Sequence, residues 1–501
     1  MLLTQLLSNI SYETASDITE VRIDRIEYNS RKAMPGTLFV CLVGAHSDGH
    51  DFARHAYENG CRAFLVSRPV ELPPDAAVVS TADTREALAV ISADFYGNPA
   101  DRLHLIGITG TKGKTTSALM LTAILNEAGL PCAYIGSNGV DIGERHIDTV
   151  NTTPESRDLH FYFDIMVRNG IRYAVLEVSS QALAHCRVHG IRFDTAVFTN
   201  FSSDHIGEGE HPDLADYLAS KAKLFSEHGC RHVIYNSDDP MWKEITGGAP
   251  RDAARIGFSV GTPSDFSAWN IKPYRTRTML GVSFDCRHGC EQTHVVLRSP
   301  GEFSVHNALC AIAAASVYGV SVETAAAALA RTSVRGRFEI VEGLPDRTFI
   351  IDYAHNSLSL SSALRVLRTY EPARLICLFG SVGGRTQGRR AELGSVASAL
   401  ADFCIITSDN PDYERPDEVI RDIMQYFNES CPHVCIEDRE EAVRYAVRIS
   451  QPGDILLFAG KGHENYQLIA GQKIPLSERE IIHGECAQII EENLVAEAQN
   501  R

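Results

Sequence analysis

The amino-acid sequence predicts an α/β protein of three domains: a smaller N-terminal α/β domain, a central parallel-sheet domain and a C-terminal doubly wound, Rossmann-like domain. Three observations carry that prediction. Continuous apolar runs of strand length alternate with stretches of helical spacing in two separate series. A glycine-rich turn, GITGTKGKTT from Gly107, stands between one such run and one such helix. The 501 residues give room for about three domains. The boundaries expected are 1–98, 99–332 and 333–501.

Residues 1–98 read as short strands and turns that end at FYGNPADR, where Gly97, Asn98 and Pro99 mark a linker. LHLIGI, from Leu103 to Ile108, is a buried strand, and Thr115 to Ala128 carries Ala118, Leu119, Leu121, Thr122 and Leu125 at helical spacing. Strand, glycine turn and helix N-terminus make an anion cradle, because backbone N–H groups and the helix dipole face the ligand. Gly110, Thr111, Lys112, Gly113, Lys114, Thr115 and Thr116 form it. Lys114 would reach the β- and γ-phosphates of a bound nucleotide, and the Thr115 hydroxyl would hold Mg²⁺. The strict pattern G-x-x-x-x-G-K-[ST] is missed, since Ile108 stands five residues before Gly113.

RYAVLEV (172–178), TAVFT (195–199) and RHVIY (231–235) suit a parallel sheet covered on both faces. Ligands of such sheets collect at strand carboxyl ends. Glu177 stands at one end, and His205, in TNFSSDHIGEGEH, at another. A hard Mg²⁺ ion takes oxygen ligands from a carboxylate and phosphates, which suits Glu177; a histidine suits a more adaptable second site. DYLASKAKLFSEH puts Lys221 and Lys223 on a helix, where solvation is the default reading.

A helical stretch closes this series near residue 332. After SVRGRFEIV, whose Arg335 and Arg337 offer guanidinium groups for phosphate, come TFIIDYA, ARLICLF, ADFCIIT and DILLFAG. The loops DYAHN, SDNPDYE and AGKGHENYQ each follow a strand, so they form a binding edge of one sheet.

Bulk properties exclude other classes. The formal net charge of −17 disfavours nucleic acid or an anionic membrane as the partner. No run approaches 18 uncharged apolar residues, so no membrane insertion is expected. The N-terminus lacks a basic segment and a cleavage site, and the 13 cysteines are an odd, scattered set, which fits reduced thiols in a cytoplasmic protein. CRHGC (Cys286, His288, Cys290) has no second half-site to complete a metal centre.

GITGTKGKTT, NTTPES, EVSSQAL, TNFSSDH, YLASKAKLF, NSDDP, HNALCA, GRFE, DYAHN, DNPDYE and GKGHENYQ occur in order along nearly the whole chain. In this set the sequence resembles the Mur ligases, ATP-dependent amide-forming ligases of peptidoglycan precursor synthesis, and among them the enzymes that add the third amino acid. The resemblance implies that the first domain binds the uridine nucleotide of UDP-MurNAc, with Ser30 near the uracil, the second ATP and the third the amino acid. It implies that Thr152, Thr153, Ser179 and Arg187 hold the UDP-MurNAc-L-Ala-D-Glu substrate. Asn307, Arg337 and Asp352 would contact ATP, with Asp352 close to the ribose. Arg385, Asp409, Asn410, Asp412, Gly460 and Glu464 would form the amino-acid site. It further implies that Lys221 is N-carbamylated, a change from cation to oxygen ligand that lets it hold a second Mg²⁺ with Glu177 and His205. Lys114, Lys221, Glu177 and His205 are then the catalytic set, in an enzyme expected to act as a monomer.

Four positions depart from the family pattern. Lys112 stands where Asn is common, Gln181 where His is common and Ser304 where Asn is expected. Asp412 occupies the Arg position of the D-N-P-R motif that marks enzymes adding meso-diaminopimelate. An anion there predicts L-lysine or L-ornithine as the diamino acid. The alternative is meso-diaminopimelate, with Arg385 or Arg415 supplying the guanidinium. A different Mur ligase, a folylpolyglutamate-type ligase and a silent paralogue are the competing readings.

Overall fold

The computed structural model describes residues 1–44, 47–203, 206–207, 211–276, 279–384 and 386–499. The chain divides into two compact units, Met1–Ser267 with Leu309–Ala325, and Ala268–Ala308 with Ala326–Arg501.

The first unit holds two sheets. The N-terminal one is four parallel strands in sequence order: Arg25–Glu27, Thr37–Val40, Ala63–Val66 and Ala77–Ser80. Strand side chains alternate between faces. Leu38, Val40, Leu65 and Val79 therefore pack with Leu88 and Ile91 of the helix Thr84–Phe95, while Phe39, Phe64 and Val66 pack with Ala53 and Ala56 on the other side. Asp83 starts that helix by accepting the backbone N–H groups of Arg85 and Glu86.

The central sheet of this unit runs Ala254–Val260, His232–Asn236, Thr195–Phe198, His104–Thr109, Tyr173–Glu177, Cys132–Gly136, Gly139–Ile142, Arg145–Ile147. The first six are parallel and the last two antiparallel, so the sheet is mixed. Its helices include Lys114–Glu127, Ser156–Arg168 and Leu214–Ser226. A Cβ on Gly107 would lie 2.9 Å from the Phe193 ring and 3.1 Å from Leu224 Cδ1, so the bare backbone of the strand is what seats the helix Leu214–Ser226.

The second unit is built on six strands in the order Glu339–Val341, Thr348–Asp352, Ile455–Ala459, Leu375–Phe379, Phe403–Ile406, His433–Cys435. All pairs but the first are parallel. Ile350, Leu375, Cys377 and Leu457 face the helices Ser357–Arg368 and Gln387–Leu400, and Phe349, Ile376, Leu378 and Phe458 face Arg439–Ile449 and Glu478–Gln499. Burial on both faces is why these strands are continuous apolar runs.

The apolar runs of the sequence place no strand between 266 and 297, yet long antiparallel strands occupy it, including the pair Leu280–His288 and Glu291–Leu297. Arg275 at the end of the preceding strand donates to Tyr370 O (3.3 Å) and Gly453 O (3.1 Å), and Tyr370 Oη donates to Gly281 O at 2.7 Å. In CRHGC, Cys286 is buried in the pair while Cys290 is exposed at its turn. No helix among the described residues is long and apolar enough to cross a membrane.

Candidate active site

The Gly110–Thr116 loop joins the strand His104–Thr109 to the helix Lys114–Glu127. Gly110 has φ of 149°, and a Cβ there would lie 2.0 Å from Thr199 Oγ1; Gly113, with φ of 82°, begins the helix in the left-handed region. Asn200 clamps the loop from the neighbouring strand end. Its Oδ1 accepts Lys112 N at 2.9 Å, and its Nδ2 donates to Lys112 O at 2.9 Å. Lys112, where the family commonly has Asn, is thus held through its backbone.

Thr115 and Glu177 meet at this loop. Thr115 Oγ1 donates to Glu177 Oε2 at 2.9 Å, and Glu177 is fully buried. Its Oε1 accepts Tyr134 Oη at 2.5 Å and Ser137 N at 2.9 Å. Lys114 Nζ donates to Gly110 O (2.9 Å) and Thr111 O (3.0 Å). Lys221, from the helix Leu214–Ser226, donates to the same Gly110 carbonyl at 2.8 Å and lies 4.3 Å from the Tyr217 ring centroid. Lys221 is buried, whereas Lys223 is partly exposed. Tyr217 Oη in turn donates to Thr111 Oγ1 at 3.2 Å. The structure therefore brings Lys114, Thr115, Glu177 and Lys221 to one strand edge. His205 lies outside the described residues. Among the described residues no group of three or more His, Cys, Asp or Glu side chains converges as a metal site.

NTTPES folds against the same edge. Thr153 Oγ1 donates to Glu177 O at 2.8 Å and accepts Ser179 N at 3.1 Å, and the Thr152 and Ser137 hydroxyls are 3.0 Å apart. Arg187 donates to Thr153 O (3.2 Å) and Glu155 Oε1 (3.0 Å). Ser30 is apart from this group: its hydroxyl is 3.1 Å from His55 Nδ1 and its carbonyl accepts Asn59 Nδ2 at 2.9 Å, within the N-terminal domain.

In the second unit, Asp352 ends its strand buried, and its Oδ2 accepts Phe338 N at 2.8 Å. Burial raises its carboxyl affinity for a proton, and the neighbouring Arg337 opposes the rise. Arg337 lies over the Tyr353 ring at 4.6 Å. A Cβ on Gly336 would lie 2.1 Å from His463 N, so the turn GRFE and the loop GKGHENYQ are pressed together. Asn307 is buried on the helix Glu302–Ser316, and Ser304 Oγ donates to Pro300 O at 2.7 Å, a local use of the departing residue.

Asp409, Asn410, Gly460 and Glu464 converge around Lys461, which is fully buried. Lys461 Nζ donates to Asn410 Oδ1 (2.6 Å) and Glu464 Oε2 (2.9 Å) and lies 3.6 Å from Asp409 Oδ1. A Cβ on Gly460 would lie 2.5 Å from Asp409 Oδ2. Asp412 does not join them. It takes φ of 53°, and its Oδ1 accepts Gly471 N at 2.8 Å, pinning the hairpin Tyr466–Ile469/Gln472–Pro475. Arg415 is exposed and pairs with Asp417 at 3.0 Å. Arg385 lies outside the described residues.

Sequence reasoning missed several residues. Tyr134 and Ser137, which hold Glu177 Oε1, lie outside every motif singled out in the sequence. Arg439, fully buried, donates to Ser408 O (3.0 Å), Ala459 O (2.9 Å) and Glu478 Oε1 (2.9 Å), bracing two strand ends from a helix start. His211, also buried, sits 2.7 Å from Asp216 and 2.8 Å from Ser180 Oγ.

Three family models match in succession: "Mur ligase family, catalytic domain" over residues 22–99, "Mur ligase middle domain" over 108–315 and "Mur ligase, glutamate ligase domain" over 336–462. The UDP-N-acetylmuramoyl-L-alanyl-D-glutamate–2,6-diaminopimelate ligase of Caldanaerobacter subterraneus is 40% identical over 96% of this chain and 98% of its own. A solved structure of a ligase of the same name superposes with a TM-score of 0.67 at 25% identity, covering 97% of this chain and 99% of that one. The fold is also that of the MurF ligase of Thermotoga maritima in complex with ADP, with a TM-score of 0.61 at 17% identity over 95% of this chain and 99% of that one. This three-domain α/β chain belongs to the Mur ligase family of ATP-dependent, amide-bond-forming enzymes.

Proposed function

We infer that this chain joins meso-diaminopimelate to the D-glutamyl carboxylate of UDP-MurNAc-L-Ala-D-Glu, with ATP cleaved to ADP and phosphate. The observation that carries the reading is the meeting of Lys114, Thr115, Glu177 and Lys221 around the Gly110 carbonyl and the helix start. The name of the Caldanaerobacter relative supports 2,6-diaminopimelate over the L-lysine or L-ornithine that Asp412 suggested. In the fold the Asp412 carboxylate accepts the Gly471 amide through Oδ1, a structural use that weakens the charge argument for those two amino acids.

The substrate carboxylate attacks the γ-phosphorus of ATP, giving an acyl phosphate and ADP. The amine of the diamino acid then attacks the acyl carbon, and the tetrahedral adduct expels phosphate. Positioning and charge neutralisation account for most catalysis of such transfers. A γ-phosphate replaces the neutral carbonyls on which Lys114 rests with charged acceptors. Thr115 Oγ1 and Glu177 offer adjacent hard oxygen donors at the phosphate site, a set that fits Mg²⁺ and its preference for one or two protein oxygens plus phosphate and water. When bound, Mg²⁺ supplies charge neutralisation at the β- and γ-phosphates. Two ammonium groups on one carbonyl oxygen repel, and carbamylation of Lys221, in which the ammonium loses two protons and its nitrogen bonds to CO₂, gives an anionic carbamate that converts that repulsion into attraction. Thr153, Ser179 and Arg187 face the muramyl-peptide. Asn307, Arg337 and Asp352 serve the nucleotide, and the Asp409–Glu464 cluster serves the amino acid.

The test is ADP release with UDP-MurNAc-L-Ala-D-Glu and meso-diaminopimelate, L-lysine or L-ornithine in turn. Turnover with diaminopimelate is expected. Preference for L-lysine overturns the amino acid, and no turnover with any of the three overturns the ligase reading.

A further inference from the structure

Glu155 stands between two guanidinium groups from different domains of the first unit. Arg187 Nε donates to its Oε1 at 3.0 Å, and Arg85 Nη1 donates to its Oε2 at 3.1 Å and its Oε1 at 3.3 Å. Arg85 lies in the first turn of the helix Thr84–Phe95, and Arg187 follows the short helix Ser180–Ala184. Their side chains are 17% and 12% exposed, and that of Glu155 11%. Both arginines are also tied to backbone, Arg85 Nη2 to Val43 O at 2.9 Å and Arg187 Nη1 to Thr153 O at 3.2 Å.

One carboxylate cannot cancel two cations, so the group carries a net positive charge. A lone arginine and carboxylate in so sheltered a place close into a bidentate, neutral pair. Here Arg187 holds Glu155 through Nε and one oxygen only. His185 reports the surplus: after burial, Arg85 and Arg187 are the largest influences holding its proton affinity down.

We propose that Arg85 is a positioning residue: by taking a share of Glu155, it leaves the charge of Arg187 only partly offset and so available to the anionic muramyl-dipeptide. The proposal rests on Arg187 binding that substrate. Without Arg85, Glu155 turns wholly to Arg187 and cancels the charge the substrate needs. The device spans two domains, since Arg85, held to Val43 O within the N-terminal domain, reaches Glu155 in the central one.

Steady-state kinetics of the full-length enzyme with UDP-MurNAc-L-Ala-D-Glu varied test this. Arg85→Ala is expected to raise KM for that substrate roughly tenfold, with kcat and the KM for ATP changed less than about threefold. Arg85→Lys, which leaves a cation on Glu155, should stay near wild type. The deciding variant is Arg85→Ala/Glu155→Gln, in which the cancelling carboxylate is gone and KM should fall back toward wild type. A merely structural role predicts a further rise in the double variant, and that result overturns the proposal, as does an unchanged KM in Arg85→Ala. Arg187→Ala separates the two levels. If it leaves KM for the dipeptide unchanged, the substrate role of Arg187 fails and the proposal with it. If it raises KM while Arg85→Ala does not, the proposal alone fails.

Discussion

Thr115 and Glu177 are bonded side chain to side chain at 2.9 Å, from the first turn of one helix to the end of a strand 62 residues later. Tyr134 and Ser137 hold the other carboxylate oxygen, so Glu177 has little freedom to move away from the loop. Glu177→Gln keeps the shape and removes the charge. Activity is expected to fall roughly 10²-fold or more, the cost of losing one preorganised electrostatic partner, and the Mg²⁺ concentration for half-maximal rate should rise. Wild-type Mg²⁺ dependence in this variant would separate Glu177 from the metal.

Lys114→Ala should abolish ADP formation with the thermal unfolding midpoint little changed. The ammonium rests on carbonyls of its own loop, at 2.9 and 3.0 Å, so these two bonds tie no other element of the fold to it. Near-normal turnover in this variant is incompatible with a phosphate role for the loop.

Lys221→Ala should be nearly inactive, with partial recovery when a short carboxylic acid is supplied. The acid brings oxygens to the space beside Gly110 that a carbamate would fill. An unmodified amine at position 221 in a well-resolved crystal structure at neutral pH, with bicarbonate and Mg²⁺ present, counts against carbamylation.

Asp412→Asn should keep the selection of diaminopimelate, because an amide oxygen still accepts the Gly471 N–H and Asn tolerates a φ of 53°. Asp412→Ala should lose about 1 kcal/mol of stability, the worth of one hydrogen bond. A switch of amino acid in Asp412→Asn, measured with the three amino acids in competition, would restore the carboxylate as a selector.

His160 gives a pH dependence. Burial on the helix Ser156–Arg168 lowers its pKa from 6.5 to about 4, and neither ring nitrogen has a hydrogen-bond partner. The unfolded chain therefore binds more protons between those values. The stability contribution of the neutral ring is full above about pH 6.5 and is lost as pH falls toward 4, by about 2 kcal/mol at pH 5. Urea unfolding at pH 7 and pH 5 should show this slope in wild type and a shallower one in His160→Phe. Equal slopes would place the acid sensitivity elsewhere.

Much of this architecture was legible because both parallel sheets are buried on two faces, which forces runs such as LHLIGI and ILLFA. The phosphate loop was legible because glycine, lysine and threonine there answer to one ligand chemistry. The strands between 266 and 297 were not. They alternate buried and exposed residues, as in the inward Val282, Phe284 and Cys286, and such alternation carries no continuous apolar signal. The work of Asp412 was hidden for another reason: its partner Gly471 lies 59 residues away, on a hairpin that exists only in the folded chain. The setting of Glu155 has the same cause: Arg85 and Arg187 lie 70 and 32 residues away in the chain and meet it only in the fold.

Gly107 shapes the surroundings of Lys221 by what it lacks. The helix Leu214–Ser226 rests its Leu224 against that empty position, and Lys221 lies one turn earlier on the same side of the helix. The depth at which the helix beds down is therefore also the depth at which the lysine reaches Gly110 O. A single methyl group at 107 acts as a shim under the helix, and a shim of a few tenths of an ångström is enough to lift an amine off a 2.8 Å contact. A mutation screen that scored only residues touching substrate would pass over this position, although the reach of Lys221 is gauged there.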